Sequence, residues 1–202
     1  MLRDMVTDAG QAVALYASGF FPMDEPGADE LPWWTADPRA VLDLDQEGLE
    51  RVRRAVRRSV RAAGNGLVLQ RDGAFEEVLE RCGRPRHDDD GVWLTPRLAG
   101  LYRALRETGH ATTFELWDGP ELVAGIVGVR VGAAAMLESM CHTRPHAGNV
   151  CLLRTLEALA REGFTLCDVQ LANEHTRRIG AREIPRAEYE RRLRDAVRRA
   201  PT

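Results

Sequence analysis

The chain has 202 residues, with 28 basic and 31 acidic side chains and a formal charge of −3 when its histidines are neutral. At 44% hydrophobic and 29% charged residues it has an ordinary globular composition and enough length to bury a substantial core. No run is long and apolar enough to span a bilayer, Asp4 and Asp8 interrupt the N-terminal segment against a signal peptide, and Cys82, Cys141, Cys151 and Cys167 lack the paired spacing of a zinc site. Reduced thiols in a cytoplasmic protein are the reading that this cysteine usage supports.

A first helix is predicted over 7–18, capped by Thr7 or Asp8 and stopped at Gly19. A Pro/Gly/Trp-rich loop over 20–38 follows, holding Trp33 and Trp34, and then a short strand at 40–44. The segment RVRRAVRRSVRAAG (51–64) has helical spacing. Val52, Ala55, Val56, Ser59 and Val60 make its buried stripe, while Arg51, Arg53, Arg54, Arg57, Arg58 and Arg61 crowd the other face. The chain has no lysine, so all 28 basic residues are arginines. Such a row is either a solvated helix face or a field that draws in a polyanion.

After the turn Gly64-Asn65-Gly66 come a strand at 67–71, a helix at 74–83 closed by Gly83, and a polar loop at 85–91. The loop's His87 and acidic run 88–90, even with His142, read as exposed polar groups rather than as metal ligands. A helix over 95–109 has Thr95 as cap, Pro96 in its first turn and Gly109 as stop. From 111 to 139 the apolar period becomes two, which predicts an antiparallel meander of three strands. A helix at 148–163, a strand at 164–170, a turn with a short helix at 172–181, and a closing helix at 185–200 complete the chain. This order predicts an α/β fold with a mixed sheet, compatible with that of N-acetyltransferases. The expected division is a small N-terminal unit, 1–62, before a larger acyltransferase-like domain, 63–202.

The strings YASGFFP, LPWWTADPRAVL, GVWLTP, LRETGHATTFELW, ELVAGIVGV, ESM, GFTLCDVQ and NEHTRRIGAREIPRAEY, in this order and spacing, resemble the bacterial leucyl/phenylalanyl-tRNA–protein transferases. They run from about residue 12 to residue 193. The resemblance implies an acetyltransferase-like larger domain. It also implies transfer of a hydrophobic amino acid from aminoacyl-tRNA to the N-terminal amine of a protein beginning with arginine or lysine, tagging that protein for degradation. No cofactor or metal is implied: an aminoacyl ester is already activated, so the enzyme must align amine and ester, manage a proton and stabilise an oxyanion.

Asp168 and Gln170, two apart on a predicted strand, are expected to share a face. A strand-end carboxylate and amide satisfying nearby backbone would be the plain structural reading. The resemblance makes them the catalytic pair, Gln170 touching the amine and Asp168 orienting or polarising it. Glu138, also at a strand end, is expected by resemblance beside the cationic acceptor. Trp93 matches a tryptophan near the tRNA 3′-adenosine, where stacking contributes on the order of 1–3 kcal/mol per base. Trp33 and Trp34 match a pair expected to wall that site or buttress the N-terminal unit. Arg53, Arg54, Arg57, Arg58 and Arg61 are expected against acceptor-stem phosphates. Val127, Val129, Met136 and Met140 are candidates for an apolar acyl pocket, with core packing as the alternative.

The chain departs from the family at Met23, where tryptophan is usual, and in ESMCHTRPHAGN, where Cys141, His142 and Asn149 replace Phe, Ser and Lys. Its second GHAHS histidine is a threonine, and it begins almost at the first helix. These changes leave aminoacyl-tRNA chemistry expected but open the acceptor to a small-molecule amine. An acetyl-CoA-dependent N-acetyltransferase is a rival, disfavoured because RPHAGN (144–149) lacks the first glycine of a pyrophosphate loop. A non-catalytic RNA-binding module is the other.

Overall fold

A computed structural model describes residues 8–25, 27–84 and 94–201. The expectations for Trp93, His87 and the acidic run 88–90 lie outside the described residues. Helix α1 (Ala9–Ala17) is capped by Asp8, whose carboxylate accepts from the Gly10 N–H. The predicted Trp-rich loop contains a small antiparallel ribbon, β1 (Phe21–Pro22) with β2 (Trp33–Trp34), in which Phe21 opposes Trp34. A two-residue ladder is too short to leave a periodic signal.

Strand β3 (Arg39–Leu42) leads into α2 (Gln46–Ala63). That helix starts ahead of the arginine run because Asp45 caps it, accepting from the Gly48 N–H at 2.7 Å. Next come β4 (Val68–Arg71), α3 (Phe75–Cys82) and α4 (Pro96–Glu107). Thr95 caps α4 as predicted, accepting from the Leu98 N–H. The meander is β5 (Ala111–Asp118), β6 (Glu121–Val131) and β7 (Ala134–His142). The chain closes with α5 (Ala147–Arg161), β8 (Leu166–Asp168), α6 (Glu174–Arg178), β9 (Arg182–Ile184) and α7 (Arg186–Val197).

Seven strands form one sheet in the order β4-β5-β6-β7-β8-β3-β9. Only β7 and β8 run parallel; the other neighbours are antiparallel. Alternation along the strands feeds two cores. On one face Val127, Val129, Met136 and Leu166 pack with Tyr16 of α1, Leu79 of α3, Tyr102 of α4 and Tyr189 of α7. On the other, Ile126, Leu137 and Cys167 pack with Val52 and Val56 of α2 and Leu152 and Leu156 of α5. Because β3 sits between β8 and β9, the division expected near residue 62 cuts across one shared sheet.

Asp43, just past β3, ties this edge together. Its carboxylate accepts from Arg182 (2.6 and 3.2 Å), Arg192 (3.1 Å) and Arg51 (3.2 Å), joining β9, α7 and α2. Burial alone would raise its carboxyl, but the hydrogen bonds of Arg182 and Arg192, then the Arg182 charge and the Arg51 contact, hold it below the ordinary value. A carboxyl depressed on folding stabilises the protein above its unfolded value, and that contribution is lost as the pH falls through the folded one. Asp43→Asn is expected to cost about 1–2 kcal/mol near neutrality, a modest figure because all three arginines are partly exposed. In paired thermal melts the gap between wild type and variant should close as the pH is lowered; a gap that stays constant would rule this assignment out.

Candidate active site

Strands β7 and β8 are registered only at Ala134–Leu166, Ala135–Cys167 and Met136–Asp168. Beyond that β8 stops, while β7 continues beside β6, so the two parallel strands part. At the same point the β6–β7 register jumps from Gly128–Leu137 to Val127–Ser139 and passes over Glu138. The extra residue is a β-bulge, a device that re-aims a side chain. Gly128 makes room for it, since a Cβ there would lie 3.0 Å from the Met136 carbonyl.

The parting opens a cavity of about 530 Å³. Ile126, Leu137, Met140, Leu152 and Ile179 give it an apolar side, and Glu138 and Gln170 a polar one. Val127, Val129 and Met136 do not line it. All three are buried in the opposite core, so of the four acyl-pocket candidates the cavity wall includes Met140, together with neighbouring positions on the same strands. The reason is the period-two alternation: residues one step away emerge on the other face of the sheet.

Asp168 does not reach the cavity. It is fully buried, and its Oδ1 accepts from Arg39 Nε (2.9 Å) and the Gln170 N–H (2.8 Å), while Oδ2 accepts from Arg39 Nη2 (2.6 Å) and the Tyr189 hydroxyl (2.7 Å). Arg39, 1% exposed, also donates to the Gly19 carbonyl at 3.1 Å and lies between the rings of Phe21 (4.6 Å) and Tyr189 (4.5 Å). Burial pulls against the Arg39 cation, but the Asp168 charge and hydrogen bonds outweigh it and leave its pKa raised. Burial, then the Asp168 charge, likewise raises the Tyr189 hydroxyl, which stays a neutral donor. The expected strand-face argument for Asp168 and Gln170 also fails in detail. β8 ends at Asp168, and Gln170 takes a left-handed backbone (φ 57°), so its side chain turns to the cavity while that of Asp168 stays inside.

Glu138 is the carboxyl at the cavity wall. Its Oε2 accepts from the Tyr102 hydroxyl at 3.2 Å, and its Oε1 lies 3.3 Å from the Gln170 amide nitrogen. Burial pushes the Glu138 carboxyl up to about 8, and the Asp168 charge adds to the rise; the hydroxyls of Tyr16 and Tyr102 and the Arg39 cation oppose it.

Neither tryptophan of the ribbon lines the cavity. Trp33 meets Tyr16 edge-on, with centroids 5.2 Å apart, and so buttresses the wall behind Glu138. Trp34 is 39% exposed, its indole N–H donating to the Met23 carbonyl at 3.4 Å. On α2, Arg53 is paired with Glu50 and Glu157, both at 2.8 Å, which sets it apart from the rest of the expected phosphate row. Arg54, Arg57, Arg58 and Arg61 are exposed and form no ion pair among the described residues. Also among the described residues, no cluster of His, Cys, Asp and Glu could hold a metal, and no helix is long and apolar enough to cross a membrane.

Sequence reasoning missed Arg39, Tyr16, Tyr102 and Tyr189. Arg39 opens an otherwise apolar strand, a place where a cation needs a buried anion. The tyrosines occupy apolar-stripe positions of their helices, where a hydroxyl needs a partner.

The fold is shared with a solved structure of FemX, at a TM-score of 0.54 and 14% identity over 90% of this chain and 68% of that one. That likeness defines an α/β fold of the FemX kind, here with a buried acid–amide pair at the parting of its parallel strands. Residues 43–194 match the leucyl/phenylalanyl-tRNA protein transferase family model. A leucyl/phenylalanyl-tRNA–protein transferase of Anaeromyxobacter sp. (strain Fw109-5) is 40% identical over 188 residues, covering 91% of this chain and 76% of the relative. One of Nitratidesulfovibrio vulgaris (strain DP4) is 39% identical over 184 residues, with 91% and 76% covered. The chain belongs to the leucyl/phenylalanyl-tRNA protein transferase family, a family of aminoacyltransferases.

Proposed function

We propose that the protein moves leucine or phenylalanine from its tRNA ester to the N-terminal amine of a protein beginning with arginine or lysine. One observation carries this reading beyond kinship: a single cavity has an apolar side suited to a hydrophobic side chain and a polar edge, Glu138 and Gln170, suited to an amine. Ile126, Leu137, Met140, Leu152 and Ile179 receive the aminoacyl side chain. Gln170 and Glu138 meet the acceptor, and Asp168 acts from behind, fixing Gln170 through its backbone N–H. The parted parallel strands and the bulge support an acetyltransferase-like reading of the sheet. Arg54, Arg57, Arg58 and Arg61 take the acceptor-stem phosphates.

The test is transfer of labelled leucine, phenylalanine and polar amino acids from their tRNAs to an arginyl peptide, a glycyl peptide and free amines. Transfer of leucine or phenylalanine to the arginyl peptide supports the proposal. Transfer only to a free amine would replace the acceptor. Turnover of acetyl-CoA with no use of any charged tRNA would overturn the reading.

A further inference from the structure

An amine that attacks an ester must lose a proton, and Asp168 has all of its acceptor positions filled by Arg39, Tyr189 and the Gln170 N–H. Glu138 is the only carboxyl lining the cavity among the described residues. We propose that Glu138 takes the proton from the attacking amine and returns it to the departing 3′-oxygen of the tRNA, while Gln170 turns its amide to follow the charge on Glu138. This rests on the transfer reading above.

The surroundings of the Gln170 amide offer partners in two orientations. In one orientation Gln170 Nε2 donates to Glu138 Oε1 at 3.3 Å, a contact that is stronger when the acceptor is a carboxylate. Turned over, the nitrogen donates to the Leu137 and Val169 carbonyls at 3.2 and 3.1 Å. The amide oxygen then faces Glu138, and two oxygens at that distance attract only if the carboxyl carries a proton. The turned orientation therefore goes with a protonated Glu138, and ionising Glu138 favours the other. Tyr102 holds the second carboxyl oxygen at 3.2 Å.

The titratable and charged groups around this carboxyl come from every side: Tyr16 of α1, Arg39 of β3, Cys82 of α3 on the cavity wall, Tyr102 of α4, Asp168 of β8 and Tyr189 of α7. Burial above all, and then the Asp168 charge, brings Glu138 to about 8, close to the working pH where a general base is most effective. The step balances. The amine nitrogen bonds to the carbonyl carbon, the bond from that carbon to the ribose oxygen breaks, and the nitrogen's proton passes through Glu138 to that oxygen. An amide and a free hydroxyl result, and the carboxylate is restored.

The experiment is single-turnover transfer from leucyl-tRNA to an arginyl peptide across pH, with the peptide amine titrated separately by NMR. Wild type should show a limb near about 8 in addition to that of the peptide. Glu138→Gln should lower the rate by about 10²–10⁴-fold, leave the peptide KM within about tenfold, and keep only the peptide's limb. Tyr102→Phe removes a hydrogen bond to the carboxylate and should move the enzyme limb to higher pH, a readout that does not depend on E138Q folding. An E138Q enzyme with the wild-type rate or pH profile overturns the proposal, as does a loss confined to KM. His175, on the same cavity wall, is the control: if His175→Gln removes the limb, the proton belongs to the histidine. A wild-type protein that transfers nothing overturns the parent reading as well, whereas transfer unaffected by E138Q overturns this one alone.

Discussion

Arg39→Ala is expected to lower folding stability by about 3–5 kcal/mol, the range for removing one partner of a buried ion pair. The variant leaves Asp168, with no exposed surface, facing a void instead of a guanidinium. It also empties the slot between Phe21 and Tyr189 and releases the Gly19 carbonyl. Arg39→Lys should recover little, because an ammonium cannot reproduce two parallel hydrogen bonds while stacking between two rings. The informative variant is the double one, Arg39→Met with Asp168→Leu. Removing both charges ends the desolvation cost, so it should be less destabilised than the sum of the single variants. It should also lose transfer, since Gln170 no longer has its backbone anchor. Urea unfolding of the single and double variants measures this. An Arg39→Ala variant within about 1 kcal/mol of wild type would show that Asp168 finds another partner and that the pair does not organise the site.

The parts of this structure that sequence reasoning reached are those with a local cause. Thr95 before Pro96, the stop at Gly109 and the period-two run from 111 each fix an element within a few residues. The candidate site was reached only by resemblance, which pointed to Asp168, Gln170 and Glu138 without the division of roles proposed for them. That division depends on non-local facts: a bulge that skips Glu138, a strand that ends at Asp168, and an arginine 129 positions away that saturates the carboxylate. The cavity lining on β6 and β7 was missed by one residue for the same reason. Met136 and Leu137 are equally apolar in composition, and only the sheet's neighbours decide which face opens on the cavity. The ribbon tryptophans were read as a loop because two-residue strands carry no period. Arg53 could not be told from its neighbours on α2, because Glu157 comes from another helix.

The remaining arginines of α2 give the second large effect. Arg54, Arg57, Arg58 and Arg61 repeat at helical spacing on one exposed stripe without carboxylate partners among the described residues. Each arginine that meets a phosphate releases counterions, with a log–log salt slope of roughly 0.7–0.9 per contact. Four contacts therefore amount to a slope change of about 3 and an affinity change on the order of 10³-fold at moderate ionic strength. Replacing all four with alanine should weaken aminoacyl-tRNA binding by that order and flatten its salt dependence. The rate at saturating tRNA should change little, because the stripe lies outside the cavity that holds Glu138 and Gln170. Thermal stability should hold too, since these side chains are exposed and α2 keeps Val52 and Val56 in the core. Arg53→Ala serves as the internal control: its guanidinium is already matched by Glu50 and Glu157, so it should leave the salt slope unchanged. If the fourfold variant binds charged tRNA with the wild-type slope, the stripe is a solvated face and the acceptor stem is held elsewhere. If the slope falls but the maximal rate falls with it, the stripe also aligns the ester, and positioning rather than capture is its main contribution.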